Sequence, residues 1–399
     1  KKAKADLLAT SLVLAKTHDM DLWALNLRHL DAMARIVELG TINAAARKVN
    51  LTQSAITQAI ARLEAQLGVS LFYRKAQGMS PTEPALLLAP RVEAAMRQIG
   101  STHVTMARMR ALLALADAGS YAGAAEATKL SMPSLHRAVT DLSLASRRKL
   151  VERRGRTLAF TEAGLRTVRA FRLARADLLA GLSEVEALLG RETRVITIGA
   201  MPLSRARILP AAVVRFARSW PAIKIAIVEG SRSELLEPLR DGAIDFTLGA
   251  LRDPMVEPDL LQEPLFEDRP QVFARRGHPL ENARPDLAAL ARHEFLLPPT
   301  GTPLRDLWDE GFRGVGLDPP RVTLETGSVM MIRQMLLETD RLTLLSPDQL
   351  SAEIAAGMVV PVLTPQSGPV RSIGITMRAE WRPTSAQEAF LKTLRALSC

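Results

Sequence analysis

Gly40-Thr-Ile-Asn-Ala-Ala-Ala-Arg47 and Gly119-Ser-Tyr-Ala-Gly-Ala-Ala-Glu126 are one phrase written twice, 79 positions apart. The same offset lays Leu51-Thr-Gln-Ser-Ala-Ile-Thr-Gln-Ala-Ile60 on Leu130-Ser-Met-Pro-Ser-Leu-His-Arg-Ala-Val139 and Thr82-Glu83 on Thr161-Glu162, without a gap. Self-similarity at a fixed spacing means one supersecondary unit used twice.

In the first copy Leu30, Met33 and Val37 recur at helical spacing before Gly40, which predicts a helix over 28–39 with a glycine stop. Ala44, Ala45 and Ala46 mark a short helix whose small face lets another helix cross closely. Thr52 is placed to cap a third helix carrying Ile56, Ile60, Leu63 and Leu67 as a single apolar stripe. The other face of that helix shows Gln53, Ser54, Thr57, Gln58 and Arg62. Short polar groups at the start of a helix can hydrogen-bond to base edges in a major groove without holding the backbone away. Arg74 and Lys75 then fall in a basic hairpin before Pro81-Thr-Glu83, so the unit reads as a winged helix-turn-helix.

The second copy carries Ser131, Pro133, Ser134, Arg137 and the basic run Arg153, Arg154, Arg156, with proline tolerated where a helix start needs no N–H donor. It departs at Met132 (for Gln53), His136 (for Thr57) and Arg147-Arg-Lys149 (for Gly68-Val-Ser70). Losing that glycine removes an easy left-handed turn and adds three cations. Two readings of this copy stand side by side: it touches DNA, largely the backbone, or it is a degenerate copy kept for dimerisation or to hold the first.

Leu27-Arg-His-Leu30, Gly40-Thr-Ile-Asn-Ala-Ala-Ala46, Leu51-Thr-Gln-Ser-Ala-Ile-Thr57, Leu63-Glu64, Leu67-Gly-Val-Ser-Leu-Phe-Tyr-Arg74 and Thr82-Glu83 together resemble the LysR-type transcriptional regulators. The resemblance implies DNA-binding roles for Thr52, Gln53, Ser54, Thr57, Gln58, Arg62, Arg74 and Lys75, and for Ser131, Pro133, Ser134, His136, Arg137, Arg153, Arg154 and Arg156. The layout it implies is a lead-in at 1–25, winged copies at 26–84 and 104–164, linker helices at 85–103 and 165–192, and an effector domain over 193–399. Phe171, Ala174, Leu178, Leu182, Val185 and Leu189 share one face of the second linker, close to a coiled-coil seam. A face of that kind is either buried within its own chain or, as in a family whose linker helices pair antiparallel, a dimerisation surface.

Beyond Gly190, Val195–Ile198, Ile225–Val228 and Phe246–Leu248 are strand-like, and Leu209–Phe216 and Leu235–Leu239 helix-like. Strand and helix in alternation imply an open parallel sheet whose ligands bind beyond the strands' carboxyl ends. Gly199-Ala-Met-Pro202, Leu209-Pro210, Trp220-Pro221, Gly242-Ala-Ile-Asp245, Gly277-His-Pro-Leu280 and Leu344-Leu-Ser-Pro347 resemble the effector domain of the same family, a two-lobed fold similar to periplasmic solute-binding proteins. The expected lobes are about 193–268 with 380–399, and about 269–379. Met201, Leu203 and Ser204, then Ser231 and Arg232, and across the cleft Thr300, Thr302 and Ser328 are the candidate effector contacts. Free N–H groups at helix starts together with hydroxyls suit a carboxylate, and Gly199-Ala-Met-Pro202 and Val228-Glu-Gly-Ser231 look most like the branch of the family that includes regulators of sugar-binding protein and aromatic-acid genes, which implies an aromatic or sugar-derived ligand.

Charge supports the division. Residues 1–190 carry a net +11 and residues 191–399 a net −1, so the whole excess of the +10 chain sits with the repeats, where it suits a polyanion. With 399 residues and 47% hydrophobic content the chain is long enough for two to four packed units at about 100–200 residues each and is no disordered tail. At 4% aromatic it lacks stacking platforms for single strands. Cys399 is the only cysteine, which excludes an internal disulfide and a cysteine-held zinc, and no cofactor or metal is expected. Leu7–Ala15 behind Lys1, Lys2 and Lys4 looks superficially like a signal peptide, but Thr10 and Ser11 interrupt it; the natural start is expected upstream of Lys1 or at Met20, and the cytoplasm is the expected location. There is no Gly-x-Ser-x-Gly, Walker loop or His-Glu-x-x-His to support catalysis. The sequence thus reads as two tandem all-α winged helix-turn-helix domains followed by an α/β two-lobed domain. Its implied function is a non-enzymatic regulator that binds double-stranded DNA and a small effector as a homodimer or homotetramer, away from membranes, with RNA polymerase as a further partner; winged copies that bind protein are the alternative.

Overall fold

The computed structural model describes residues 21–75, 78–154, 157–191, 195–252, 257–283, 285–320, 322–363 and 370–398. The expected lead-in therefore lies, up to residue 20, outside the described residues. The chain folds as two compact units, one made by the repeats and their long helices and the other by the C-terminal α/β part.

The first copy runs α1 (Leu27–Leu39), α2 (Ile42–Val49), α3 (Gln53–Leu67), a hairpin of β1 (Phe72–Lys75) and β2 (Gly78–Pro81), and α4 (Glu83–Ile99). Its boundaries follow local chemistry. Thr41 and Thr52 accept the N–H groups of Ala44 and Ala55, while Gly40 and Gly68 take the left-handed turns, φ 74° and 68°, that end α1 and α3. Ile56, Ile60, Leu63 and Leu67 are all buried, as a stripe of that spacing requires. The second copy repeats the plan as α5 (Met106–Ala118), α6 (Tyr121–Thr128), α7 (Met132–Ala145), β3 (Val151–Arg154) with β4 (Thr157–Phe160), and α8 (Glu162–Leu188). Each copy thus carries an antiparallel hairpin, so the repeats are helical with a β wing rather than all-α.

One contiguous core runs from Leu22 to Val185 through both copies. Within it α4 packs along α8, where Gly181 leaves so little room that a Cβ would sit 2.7 Å from the Leu88 side chain. Phe171, Ala174, Leu178, Leu182 and Val185 are buried inside this single chain. Of the two readings of that apolar face, the intramolecular one is what the structure shows: α4 of the same chain helps cover the stripe assigned to a dimer partner. Only Leu189 of the predicted face remains substantially exposed, at 37%.

The α/β unit contains two five-stranded sheets. In the first, β5 (Val195–Ala200) lies parallel to β6 (Lys224–Glu229) and β7 (Phe246–Ala250), joined through α9 (Ile208–Ser219) and α10 (Arg232–Arg240), with β8 (Leu260–Asp268) at the far edge. The second is built from β9 (Gln271–Arg275), β10 (Phe295–Leu297), β11 (Val322–Glu325), β12 (Leu342–Leu345) and β13 (Val359–Leu363), with α11 (Leu287–Leu290), α12 (Pro303–Arg313), α13 (Val329–Glu338) and α14 (Ser351–Ala355) between them. The chain then returns through β14 (Arg371–Arg378) and α15 (Ser385–Ala396). The expected lobe boundary needs correction here: 371–378 belongs to the first lobe, because β14 pairs antiparallel with both β7 and β8 and buries Ile375 in that lobe's core.

Candidate nucleic-acid and effector sites

Thr52 and Ser131 start the two exposed helices by the same device, a hydroxyl that accepts a first-turn N–H, at 3.2 Å from Ala55 and 3.3 Å from Ser134. Capping fixes the direction of each first turn and with it the residues that follow. On α3, Gln53, Ser54, Thr57, Gln58 and Arg62 are exposed together. Thr57 is tied back, its hydroxyl donating to the Gln53 carbonyl at 3.0 Å, while Ser54 lies 3.1 Å from the Thr52 hydroxyl. The outermost groups of this face are therefore the two amides and the guanidinium. Arg62 also faces α1: burial first, and then the Arg62 charge, holds the His29 ring below the usual imidazole range.

On α7, Met132, Pro133, Ser134, His136 and Arg137 are exposed along the same face. His136 is not loose. Its ring centroid lies 5.3 Å from that of Tyr121, tilted by 44°, and Nδ1 lies 3.5 Å from the Thr140 hydroxyl. The sequence reading missed Tyr121, although a signal existed: Tyr121 replaces Ile42 just as His136 replaces Thr57, and two departures that meet in space form one altered contact. The sequence implies the loss of a left-handed turn at Arg147; the turn is kept, at φ 52° on a non-glycine residue.

In the wings Arg153 is exposed. Arg74 and Lys75 end β1 and Arg154 ends β3, but these three side chains, like the whole of Arg156, lie outside the described residues.

The candidate effector residues fall at the carboxyl ends of parallel strands, after β5 and β6 in one lobe and after β10 and β11 in the other. Two contacts between the lobes run across these ends: Arg207 Nε donates to Asp348 at 2.8 Å, and Arg252 Nη2 reaches the Gly301 carbonyl at 3.5 Å. Several candidates are already engaged. Ser204 is fully buried with its hydroxyl donating to the Met201 carbonyl at 2.8 Å, and Leu203 is buried too. Met201 covers Gly249, where a Cβ would lie 2.5 Å from its sulfur. The Ser231 backbone N–H first, and then its hydroxyl, each donating to Glu234 at 2.8 Å, keep Glu234 below the usual carboxylate range. Arg232 is paired with Glu257 at 2.8 Å rather than free, and Arg205 with Glu229. Thr302 donates to the Pro299 carbonyl at 2.8 Å, Ser328 caps α13, and Thr300 is exposed. Met201, Arg232, Leu235, Leu236, Leu239, Thr247 and Thr376 line a crevice too narrow for a water molecule. Among the described residues no helix is long and apolar enough to cross a membrane, and no group of three His, Cys, Asp or Glu side chains could hold a metal ion.

The sequence profile described as the bacterial regulatory helix-turn-helix protein of the lysR family matches twice, at 27–86 and at 106–165, and the profile of the LysR substrate binding domain matches 189–398. The chain is 31% identical to the HTH-type transcriptional regulator GalR of Pseudomonas putida over 93% of this chain and 96% of that one. Two full-length solved structures share the fold, each with a TM-score of 0.54: an OxyR variant from Pseudomonas aeruginosa, 21% identical, and LysG from Corynebacterium glutamicum, 18% identical. The superpositions take in 98% and 96% of those chains but only 73% of this one, which carries the helix-turn-helix profile twice. With its α/β half matched end to end and its helical half matched twice, the chain belongs to the LysR family of DNA-binding transcriptional regulators, with an effector-binding domain at its C-terminal end.

Proposed function

We propose that both N-terminal copies act as winged helix-turn-helix readers of promoter DNA, and that the C-terminal half is a periplasmic-binding-protein-like sensor whose ligand selects between two arrangements of its lobes. The observation that carries the first claim is the matched exposure of the two helix starts: Gln53, Gln58 and Arg62 on α3, and Met132, His136 and Arg137 on α7, stand free of the core that each helix's opposite stripe builds. Residues in the first turns of such a helix meet base edges, whereas Thr52, Ser131, Arg153 and the wing cations suit phosphate oxygens. The effector is a small carboxylate-bearing aromatic or sugar-derived molecule. Arg232 is the candidate cation for its carboxylate, which would exchange with Glu257, and Met201 and Leu203 are the candidate hydrocarbon contacts. Closure around the ligand would break or remake Arg207–Asp348 and Arg252–Gly301, so a ligand that favours one state shifts the DNA complex by its differential affinity. The regulator acts in the cytoplasm as a homodimer or homotetramer and meets RNA polymerase at the promoter.

Footprinting on the DNA upstream of the protein's own gene tests this reading, with wild type, Gln53→Ala/Thr57→Ala and His136→Ala/Arg137→Ala at several salt concentrations. Each lost base contact costs about 1–3 kcal/mol, so both variants lose the discrete footprint if both copies read DNA. A footprint that survives the second variant intact would leave α7 without a reading role.

A further inference from the structure

Two observations on the helical unit lead beyond general DNA reading. The first is that the two copies are fixed to each other inside one chain. Their apolar residues form one contiguous core, the turn at Leu22–Ala24 of the first copy touches α5 of the second, and α4 lies along α8. Where those helices cross, Arg91 makes a two-pronged ion pair with Glu184, Nε to Oε2 at 3.1 Å and Nη2 to Oε1 at 3.0 Å, with side chains only 6% and 13% exposed. A fork of this geometry, sunk in an apolar contact, fixes register as well as attraction. Gly181 beside it admits the Leu88 and Arg91 side chains to a distance that a larger residue would block. No second chain is needed to place two reading helices on one head.

The second observation is that the two helices are chemically unlike. At the offset of 79, Gln53 becomes Met132, Ser54 becomes Pro133, Thr57 becomes His136, Gln58 becomes Arg137, and Arg62 becomes Asp141, a reversal of charge. The Tyr121 ring that fixes His136 has only Ile42 as its counterpart. A carboxamide pairs best with adenine, an exposed methionine with a thymine methyl, and an arginine with guanine. A palindrome is the answer to two identical readers. These two are not identical.

We infer that a single chain occupies a two-part, non-palindromic DNA site, with α3 reading one half and α7 an unlike half in cis. The inference rests on the DNA-reading assignment above, and its test separates the two. The full chain is used to enrich duplexes from a random library, and the enriched duplex is then titrated with wild type, with Gln53→Ala/Gln58→Ala, with Met132→Ala/His136→Ala, and with the two variants co-expressed and co-purified. All four side chains are exposed, so the variants keep their cores. The expected result is an enriched site with two unlike elements, each variant weaker by on the order of tenfold or more and insensitive to changes in one element only, and no recovery in the mixed sample, because no chain in it carries both intact helices. Recovery in the mixed sample to near wild-type affinity, or an enriched palindrome of one element, would overturn reading in cis while leaving DNA binding in place. Failure of wild type to enrich any sequence would remove the DNA-reading assignment itself, and this inference with it.

Discussion

Arg147 holds φ 52°, the conformation that Gly68 holds at 68° in the first copy. A side chain in the left-handed region costs roughly 1–2 kcal/mol, and glycine avoids it. Arg147→Gly should therefore raise stability by about 1 kcal/mol in a denaturant titration, less whatever the freer unfolded chain gives back. A lower midpoint would mean that the Arg147 side chain makes a contact worth more than the strain. The converse case is Gly164, opposite Ala85 in the repeat. A Cβ there would stand 2.0 Å from the Leu150 carbonyl oxygen, a backbone atom that cannot swing aside, whereas Ala85 is buried and accommodated. Gly164→Ala should cost about 1–3 kcal/mol by forcing α8 off its wing, and a neutral result would show that the wing of the second copy adjusts freely.

Histidine sets a pH response at the same scale. Burial, then Arg62, lowers His29, whose Nδ1 is buried without a hydrogen-bond partner among the described residues. Burial, then His278, lowers His293 despite Asp340. Both rings are more readily protonated in the unfolded chain, so their contribution is complete above the free imidazole value of about 6.5 and is lost as pH falls through and below it. The melting temperature should drop between pH 7.5 and pH 5.5, and His29→Gln with His293→Gln should flatten that drop. An unchanged slope in the double variant would assign the loss to other groups.

At the scale of elements, the contact of α4 with α8 makes the sharpest demand. Removing one partner of a buried ion pair leaves the other charge stranded, so Arg91→Ala or Glu184→Ala should each cost about 3–5 kcal/mol, while Arg91→Met with Glu184→Leu should lose far less. Equal losses from the single and double changes, read by thermal unfolding, would show that packing alone holds the crossing. This is also where the sequence was least informative. The stripe Phe171, Ala174, Leu178, Leu182, Val185 states that one face of α8 must be covered, and it reads the same whether α4 or a second chain covers it. By contrast, α1 and α3 were legible to within a residue or two, because caps such as Thr52 and stops such as Gly40 are local chemistry. The strand β14 was misplaced for the opposite reason: its partners β7 and β8 lie more than a hundred residues back, and nothing in Arg371–Arg378 says which sheet it joins. The candidate effector residues lie after strand ends, as parallel alternation dictates, but which hydroxyls are spent on local bonds, as those of Ser204 and Thr302 are, depends on turns of a few residues that composition does not specify.

For the molecule as a whole, a net +11 in the first 190 residues and −1 in the rest assigns attraction for a polyanion to one unit and frees the other to sense a small ligand. Neutralising phosphates releases counterions, so log affinity should fall linearly with log salt by about 0.9 for each phosphate contacted. Anisotropy titration of the full chain across a salt series, on the enriched duplex and on a scrambled duplex of the same composition, tests the central claim most directly. Sequence-specific reading by this head predicts a steep linear slope on both and an affinity for the enriched duplex greater by about a thousandfold or more. Equal affinities for the two duplexes, or a response that salt leaves flat, would contradict it.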